Sequence, residues 1–135
     1  MHLDPSAFAA DSDLIHALEA HATPIDCHAE CILFRQGDPP VGLYILKSGS
    51  ARLLMNSAAG NPIISIAASA GSLLGLPGVV GDRPYTLSAI AHPGARVSFV
   101  ARDHFLALMK SDPALTIKIL QVLAAEVRSA RQAIV

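Results

Sequence analysis

The feature that most constrains the fold is a series of short apolar segments, separated by turn signals, between residues 25 and 101. The segments are four to six residues long, and motifs such as GDPPVG, SAAGNP and GDRP separate them. This length and spacing are typical of antiparallel strands in a small sandwich or barrel. The sequence therefore predicts seven or eight strands, with clear candidates at 31–34, 43–46, 51–55, 63–67, 85–90 and 96–100.

Helical patterns flank this β region on both sides. Residues 6–21 suit a helix or a helical pair with Asp11 or Ser12 as its N-cap. Residues 102–110 predict a short helix, and Asp112 followed by Pro113 predicts the start of a long helix from 114 to the end. We expect one domain over 1–135, made of a helical part (1–24), a β part (25–101) and C-terminal helices (102–135).

Composition narrows the class of protein. The chain has 135 residues, 52% of them hydrophobic and 16% charged, so it can bury a core and is not intrinsically disordered. A net charge of −1 gives no general attraction to nucleic acid or anionic membranes. No apolar run reaches the ~18 residues of a membrane span, and the N-terminus lacks the features of a secretion signal. We expect a cytoplasmic protein without membrane contact.

The last predicted helix carries an apolar seam. Its residues recur at steps of three and four, as in a coiled coil, and they are Leu120, Leu123, Val127, Ala130 and Ile134. A second apolar set, Leu115, Ile119 and Val122, lies beside the seam. We predict that one set packs on the β region and that the seam forms a homodimer interface. The alternative is that both sets belong to the core of a monomer.

Residues 32–55, ILFRQGDPPVGLYILKSGSARLLM, resemble the cyclic-nucleotide-binding domain family. This family includes the catabolite activator protein, its CRP-FNR relatives and the regulatory subunits of protein kinase A. The residues that carry the resemblance are Leu33, Phe34, Gly37, Asp38, Leu43, Tyr44, Ile45 and Gly49. The resemblance implies an antiparallel β-roll, or jelly-roll barrel, with an N-terminal helix and two C-terminal helices. It also implies that the last helix forms the dimer interface.

Residues 71–89, GSLLGLPGVVGDRPYTLSA, align with the phosphate-binding cassette of that family. Gly75, Gly78 and Thr86 match its pattern. The glutamate that holds the ribose falls on Leu76, and the arginine that holds the phosphate falls on Tyr85 or, with a longer spacing, on Thr86. The resemblance thus makes Gly75, Leu76, Gly78, Arg83, Tyr85 and Thr86 the candidate ligand-binding residues.

Both charged groups of the cassette are missing from these positions. An arginine that binds phosphate through two hydrogen bonds contributes roughly 1.5–3 kcal/mol per contact. We therefore expect no ordinary binding of cAMP, and either an atypical or an empty pocket. Arg83 could supply a cation to a cyclic nucleotide or another small anion, but its position in a GDRP turn favours an exposed side chain.

No other motif indicates catalysis or a metal. Residues 27–31, CHAEC, fall by the resemblance in the first hairpin turn, where Cys27 and Cys31 could form a disulfide or bind a metal with His28. We interpret them as free cysteines, with a redox sensor as a distant alternative. The sequence contains no nucleophile elbow, paired-carboxylate motif or Walker loop, so we predict no enzyme and no metal site.

The resemblance implies a sensor or regulatory domain of a CRP-FNR-type signalling protein or transcription regulator. The alternative is a ligand-free domain of the same fold that serves dimerisation or interaction. Regulators of this type continue from the long helix into a DNA-binding helix-turn-helix, whereas this sequence stops at Val135. We expect either a stand-alone sensor or the sensor half of a longer protein that binds DNA, with no nucleic acid contact by these residues.

Overall fold

The computed structural model of the protein describes residues 3–134, and the side chains of residues 3–133. A single turn of 3-10 helix, Pro5–Phe8, precedes the first α-helix. In chain order the elements are α1 (Ser12–Glu19), β1 (Thr23–Asp26), β2 (Cys31–Phe34), β3 (Gly42–Ser48), β4 (Ser50–Asn56), β5 (Pro62–Ser69), β6 (Leu73–Leu74), α2 (Leu76–Gly81), β7 (Ser88–Ala91), β8 (Arg96–Ala101), α3 (Arg102–Ser111) and α4 (Pro113–Ile134).

The strands form two four-stranded antiparallel sheets, in the orders β1-β8-β3-β6 and β2-β7-β4-β5. With the helices at both ends, this is the β-roll that the sequence predicts. The hydrophobic core lies between the sheets. The first five residues of β3, from Gly42 to Leu46, are all buried, and helices α2 and α3 both contact this strand.

Two strands and one boundary differ from the prediction. β1 and β6 were not among the predicted strands. β1 contains a proline and β6 has only two residues, so neither shows an alternation of apolar and polar residues. The predicted strand 85–90 is wrong at its start, since β7 begins at Ser88. The backbone of Tyr85 bonds instead to the turn after β2, where its N–H donates to Asp38 and its carbonyl accepts from Gly37.

The loop at residues 27–30 corrects a further expectation. β1 pairs with β8 in one sheet, and β2 pairs with β7 in the other. The segment that contains Cys27 therefore crosses between the sheets and is not a hairpin turn.

Local capping signals fix the helix starts. The Asp11 carboxylate accepts a hydrogen bond from the backbone N–H of Leu14 at 2.7 Å, which caps α1. The Asp112 carboxylate does the same for the N–H of Leu115 at 3.1 Å, at the start of α4. Within residues 3–134, no helix has the length and apolar character needed to span a bilayer.

Candidate ligand-binding pocket

The segment from β6 to α2 is shaped by two glycines. Gly75 has a φ of +93°, and a Cβ added there would lie 2.8 Å from a ring carbon of Tyr85. A Cβ on Gly78 would lie 2.9 Å from the carbonyl oxygen of Arg83. Such distances leave no room for a side chain, so both glycines let the turn approach the segment that follows it.

Tyr85 is fixed by its hydroxyl and by its ring. The hydroxyl donates to the carbonyl oxygen of Gly42 at 2.6 Å and accepts from the N–H of the same residue at 3.0 Å. The ring stacks on Phe34 with centroids 4.0 Å apart. Burial raises the pKa of the Tyr85 hydroxyl, so the group stays neutral. A tyrosine hydroxyl ionises only to an anion, so the residue cannot supply the cation that a phosphate needs.

A cavity of about 370 Å³ lies beside this tyrosine. The cassette contributes six lining residues: Gly75, Pro77, Gly78, Tyr85, Thr86 and Leu87. Strands β2, β4, β5 and β6 contribute Phe34, Leu53, Met55, Ile64 and Leu74. The N-terminal segment adds Leu3 and Phe8, and helix α4 adds Glu126, Val127 and Ala130. The walls are therefore almost entirely apolar, in a volume that suits a small organic molecule.

Glu126 is the exception in this lining, and the sequence analysis did not single it out. Its Oε2 atom is shielded from solvent and has no hydrogen-bond partner within the described part of the chain. Burial raises the pKa of the carboxyl group to about 8. The spacing of the helix could have predicted its burial. Glu126 lies four residues after Val122 and seven after Ile119, on the buried face of α4.

Two hydrogen bonds join segments that line the cavity to helices α3 and α4. Asp4, beside Leu3 in the N-terminal segment, donates its backbone N–H to the Ser129 hydroxyl on α4 at 2.8 Å. Arg102, the first residue of α3, donates from Nε to the carbonyl of Val79 in α2 at 2.9 Å. The cavity therefore lies between elements that are bonded to both C-terminal helices.

Comparison with known proteins identifies the family. The family model described as "Cyclic nucleotide-binding domain" matches residues 25–112. The chain belongs to the cyclic nucleotide-binding domain family. The comparison of the sequence with curated proteins found no match.

Solved structures agree with this assignment at the level of the fold. The catabolite activator protein of Thermus thermophilus is 21% identical, with a TM-score of 0.80, and the match covers 97% of this chain and 62% of that one. The c-di-GMP-responsive regulator CLP of Xanthomonas campestris is 18% identical, with a TM-score of 0.71 and coverages of 91% and 63%. The sensor domain of the regulator DNR from Pseudomonas aeruginosa is 18% identical, with a TM-score of 0.68 and coverages of 90% and 82%.

The family pattern can now be placed on the structure. Leu76, which the sequence analysis aligned with the ribose-binding glutamate, is fully buried in the core and is not part of the cavity lining. Tyr85 and Thr86, the two positions considered for the arginine, both line the cavity. Arg83 is exposed and lies outside the lining, as the turn motif predicts. The cavity thus brings together Gly75, Gly78, Tyr85 and Thr86, but neither Leu76 nor Arg83.

The seam on α4 is divided between exposed and packed residues. Leu120 and Val127 are each 49% exposed, whereas Leu123 packs against the core. Ala130 is exposed at the edge of the cavity, and the side chain of Ile134 lies outside the described residues. Ile117, which the seam did not include, is 56% exposed.

The two cysteines are free thiols. Cys27 is buried, and its pKa is raised to about 11, first by burial and then by its hydrogen bond with Cys31. A thiol with so high a pKa is a poor nucleophile at neutral pH. No group of three or more potential metal ligands occurs in the part of the chain that the structure describes.

Proposed function

We propose that this domain is a sensor of the cyclic-nucleotide-binding fold whose pocket does not bind cAMP through the family's charged contacts. One observation carries the proposal: among the described residues that line the cavity there is no arginine, lysine or histidine. A cyclic phosphate would enter this cavity without a counter-charge, and the burial of an unpaired charge is unfavourable.

A second argument is that Leu76 is buried outside the cavity lining, so this turn offers no carboxylate to a sugar, and the walls around the cavity are apolar. A sugar hydroxyl next to an apolar wall loses its water without gaining a partner, at a cost of about 1–3 kcal/mol. Without the phosphate contact as well, the affinity for cAMP falls by orders of magnitude, since about 1.4 kcal/mol corresponds to a factor of ten.

An open cavity supports sensing over the alternative of a ligand-free domain with a filled pocket. A volume of about 370 Å³ falls in the range of small-molecule sites. The regulators and sensors among the similar structures point to the same class of function, and we propose no enzymatic activity. We place the domain in the cytoplasm and expect its output to pass through α4 to whatever the helix contacts.

We propose further that α4 pairs with a second copy of the chain. Three large apolar side chains, Ile117, Leu120 and Val127, are about half exposed on one helix. Leu115 and Ile119, on the opposite face, are buried against the roll, so the exposed stripe is free for a partner. Because Val127 also lines the cavity, a partner helix on this stripe would lie next to the pocket.

A thermal-shift experiment tests the sensor proposal. The domain is heated with millimolar cAMP, cGMP or a cyclic dinucleotide, the last because CLP responds to one. We expect each to change Tm by less than about 1 °C, as a non-cyclic nucleotide control should. Ligand at 100 times its Kd stabilises a protein by about 2.7 kcal/mol. An increase in Tm of several degrees at micromolar cAMP would show that the pocket binds cyclic nucleotides and would contradict the proposal.

A further inference from the structure

Glu126 is the only carboxylic acid among the described residues that line the cavity, and none of them is basic. It projects from α4 into walls made of Phe34, Leu53, Met55 and other apolar groups. Its Oε2 atom is out of contact with water and accepts no hydrogen bond from the described residues. Native proteins rarely leave a buried carboxyl oxygen unpartnered, because desolvation of the group is unfavourable.

No described residue donates a hydrogen bond to the Oε2 atom of this carboxyl group. The nearby hydroxyl of Ser129 is taken by the N–H of Asp4, and the Tyr85 hydroxyl makes both of its hydrogen bonds to Gly42. Glu126 lines the cavity, and a perturbed acid that lines a cavity is characteristic of a binding site. The missing hydrogen-bond donor is therefore expected from a ligand.

The lining also limits what that ligand can be. The described lining offers no cation to a phosphate or a carboxylate, and such an anion in the cavity would also oppose the ionisation of Glu126. The apolar walls favour a hydrophobic body, and Phe34 and Tyr85 offer aromatic surface for it. Hydrogen bonds from a cation to a carboxylate are about twice as strong as neutral ones, so an ammonium group gains most from this acid.

We propose that the cavity binds an apolar, non-phosphorylated amine, whose hydrophobic body fills the apolar space and whose ammonium group donates to Glu126. This inference rests on the proposed sensor function and names the class of ligand for the same pocket. The amine supplies both the donor that Oε2 lacks and the charge that makes the carboxylate form favourable inside the cavity.

Three matched indole compounds test this assignment on the full chain. Tryptamine, tryptophol and indolepropionate share one ring system and end in an ammonium, a hydroxyl and a carboxylate group. Their affinities are measured by calorimetry for the wild type, for Glu126→Gln and for Glu30→Gln, an exposed control on the loop before β2. We expect tryptamine to bind at least about tenfold more tightly than tryptophol, with indolepropionate weakest.

The variants locate the contact. Glu126→Gln keeps the size of the side chain and removes its charge, so it should abolish the preference for tryptamine and leave tryptophol binding nearly unchanged. Glu30→Gln should behave as the wild type does. Equal binding of the three compounds to the wild type, no binding of any, or an amine preference that survives in Glu126→Gln would each overturn the assignment. Tight binding of cAMP in parallel would instead overturn the sensor proposal itself.

Discussion

The hydroxyl of Tyr85 holds both backbone polar groups of Gly42, with its oxygen 2.6 Å from the carbonyl oxygen and 3.0 Å from the amide nitrogen. Gly42 is the first residue of β3 and is buried, and a Cβ there would overlap the ring of Phe99. Tyr85, one of the two residues that the sequence analysis considered for the phosphate-binding position, therefore joins the cassette to an inner strand of the sheet.

Replacing Tyr85 by phenylalanine removes these hydrogen bonds and keeps the ring. We expect Tyr85→Phe to lower the free energy of unfolding by about 1–3 kcal/mol, because buried backbone groups lose a partner. Tyr44→Phe is the matched control. Tyr44 belongs to the same aromatic cluster, and its hydroxyl makes no hydrogen bond to the described residues. Urea unfolding checks both variants, and equal losses would show that these hydrogen bonds contribute nothing.

Gly75 and Gly37 allow the cost of a positive φ angle to be measured apart from the cost of a steric clash. Their φ angles are +93° and +92°, but a Cβ on Gly75 would meet the Tyr85 ring at 2.8 Å, whereas nothing lies within 4 Å of one on Gly37. Gly37→Ala should lose stability only through the strain of the left-handed conformation, by about 1–2 kcal/mol. Gly75→Ala should lose at least about 1 kcal/mol more, because the ring must move. Thermal unfolding measures the difference, and identical values would contradict the close contact.

Glu126 makes the stability of the domain depend on pH. Its folded pKa of about 8 lies above its ordinary value of 4.5, so between these values the folded state keeps a proton that the unfolded state loses. Stability then falls as pH rises through this window, by up to about 1.4 kcal/mol per pH unit from this group, and levels off above it. Tyr85, the other titratable group of the described lining, stays neutral throughout.

The comparison of the wild type with Glu126→Gln isolates this contribution. Groups that titrate elsewhere affect both proteins equally, so the difference between their unfolding free energies should grow in favour of the variant as pH rises. Denaturant titrations across the window measure it. A difference that is independent of pH would mean that Glu126 titrates near its ordinary value in the folded state.

The exposed stripe of α4 predicts how the chain associates. Replacing Leu120 and Val127 together by glutamate should give a soluble monomer with an intact roll, since each side chain is half exposed and its loss leaves the core unchanged. Ile63→Glu, at an exposed apolar position of β5, is the control and should leave association unaffected. Sedimentation velocity measures the oligomeric state of the wild type and of both variants. If the wild type is already monomeric at high micromolar concentration, the stripe does not serve self-association.

The sequence alone determined the features that depend on near neighbours. Strand β2 at 31–34, a cap at Asp11 or Ser12, the cap at Asp112 and the helices that flank the β region were predicted, because turn residues and capping act over a few positions. Helix α2, which interrupts the strands, was not predicted. The family followed from the motif around Gly37 and Gly49, whose positive φ angles the turns require.

Only the tertiary structure decided the character of the site. That Leu76 turns into the core, and that Tyr85 bonds to a residue 43 positions earlier, depends on contacts between distant parts of the chain. The same holds for Glu126, whose buried face is evident from helical periodicity but whose cavity exists only once α4 meets the roll and the N-terminal segment. Burial in a shared space is a property of several elements together, and no local pattern within one of them encodes it.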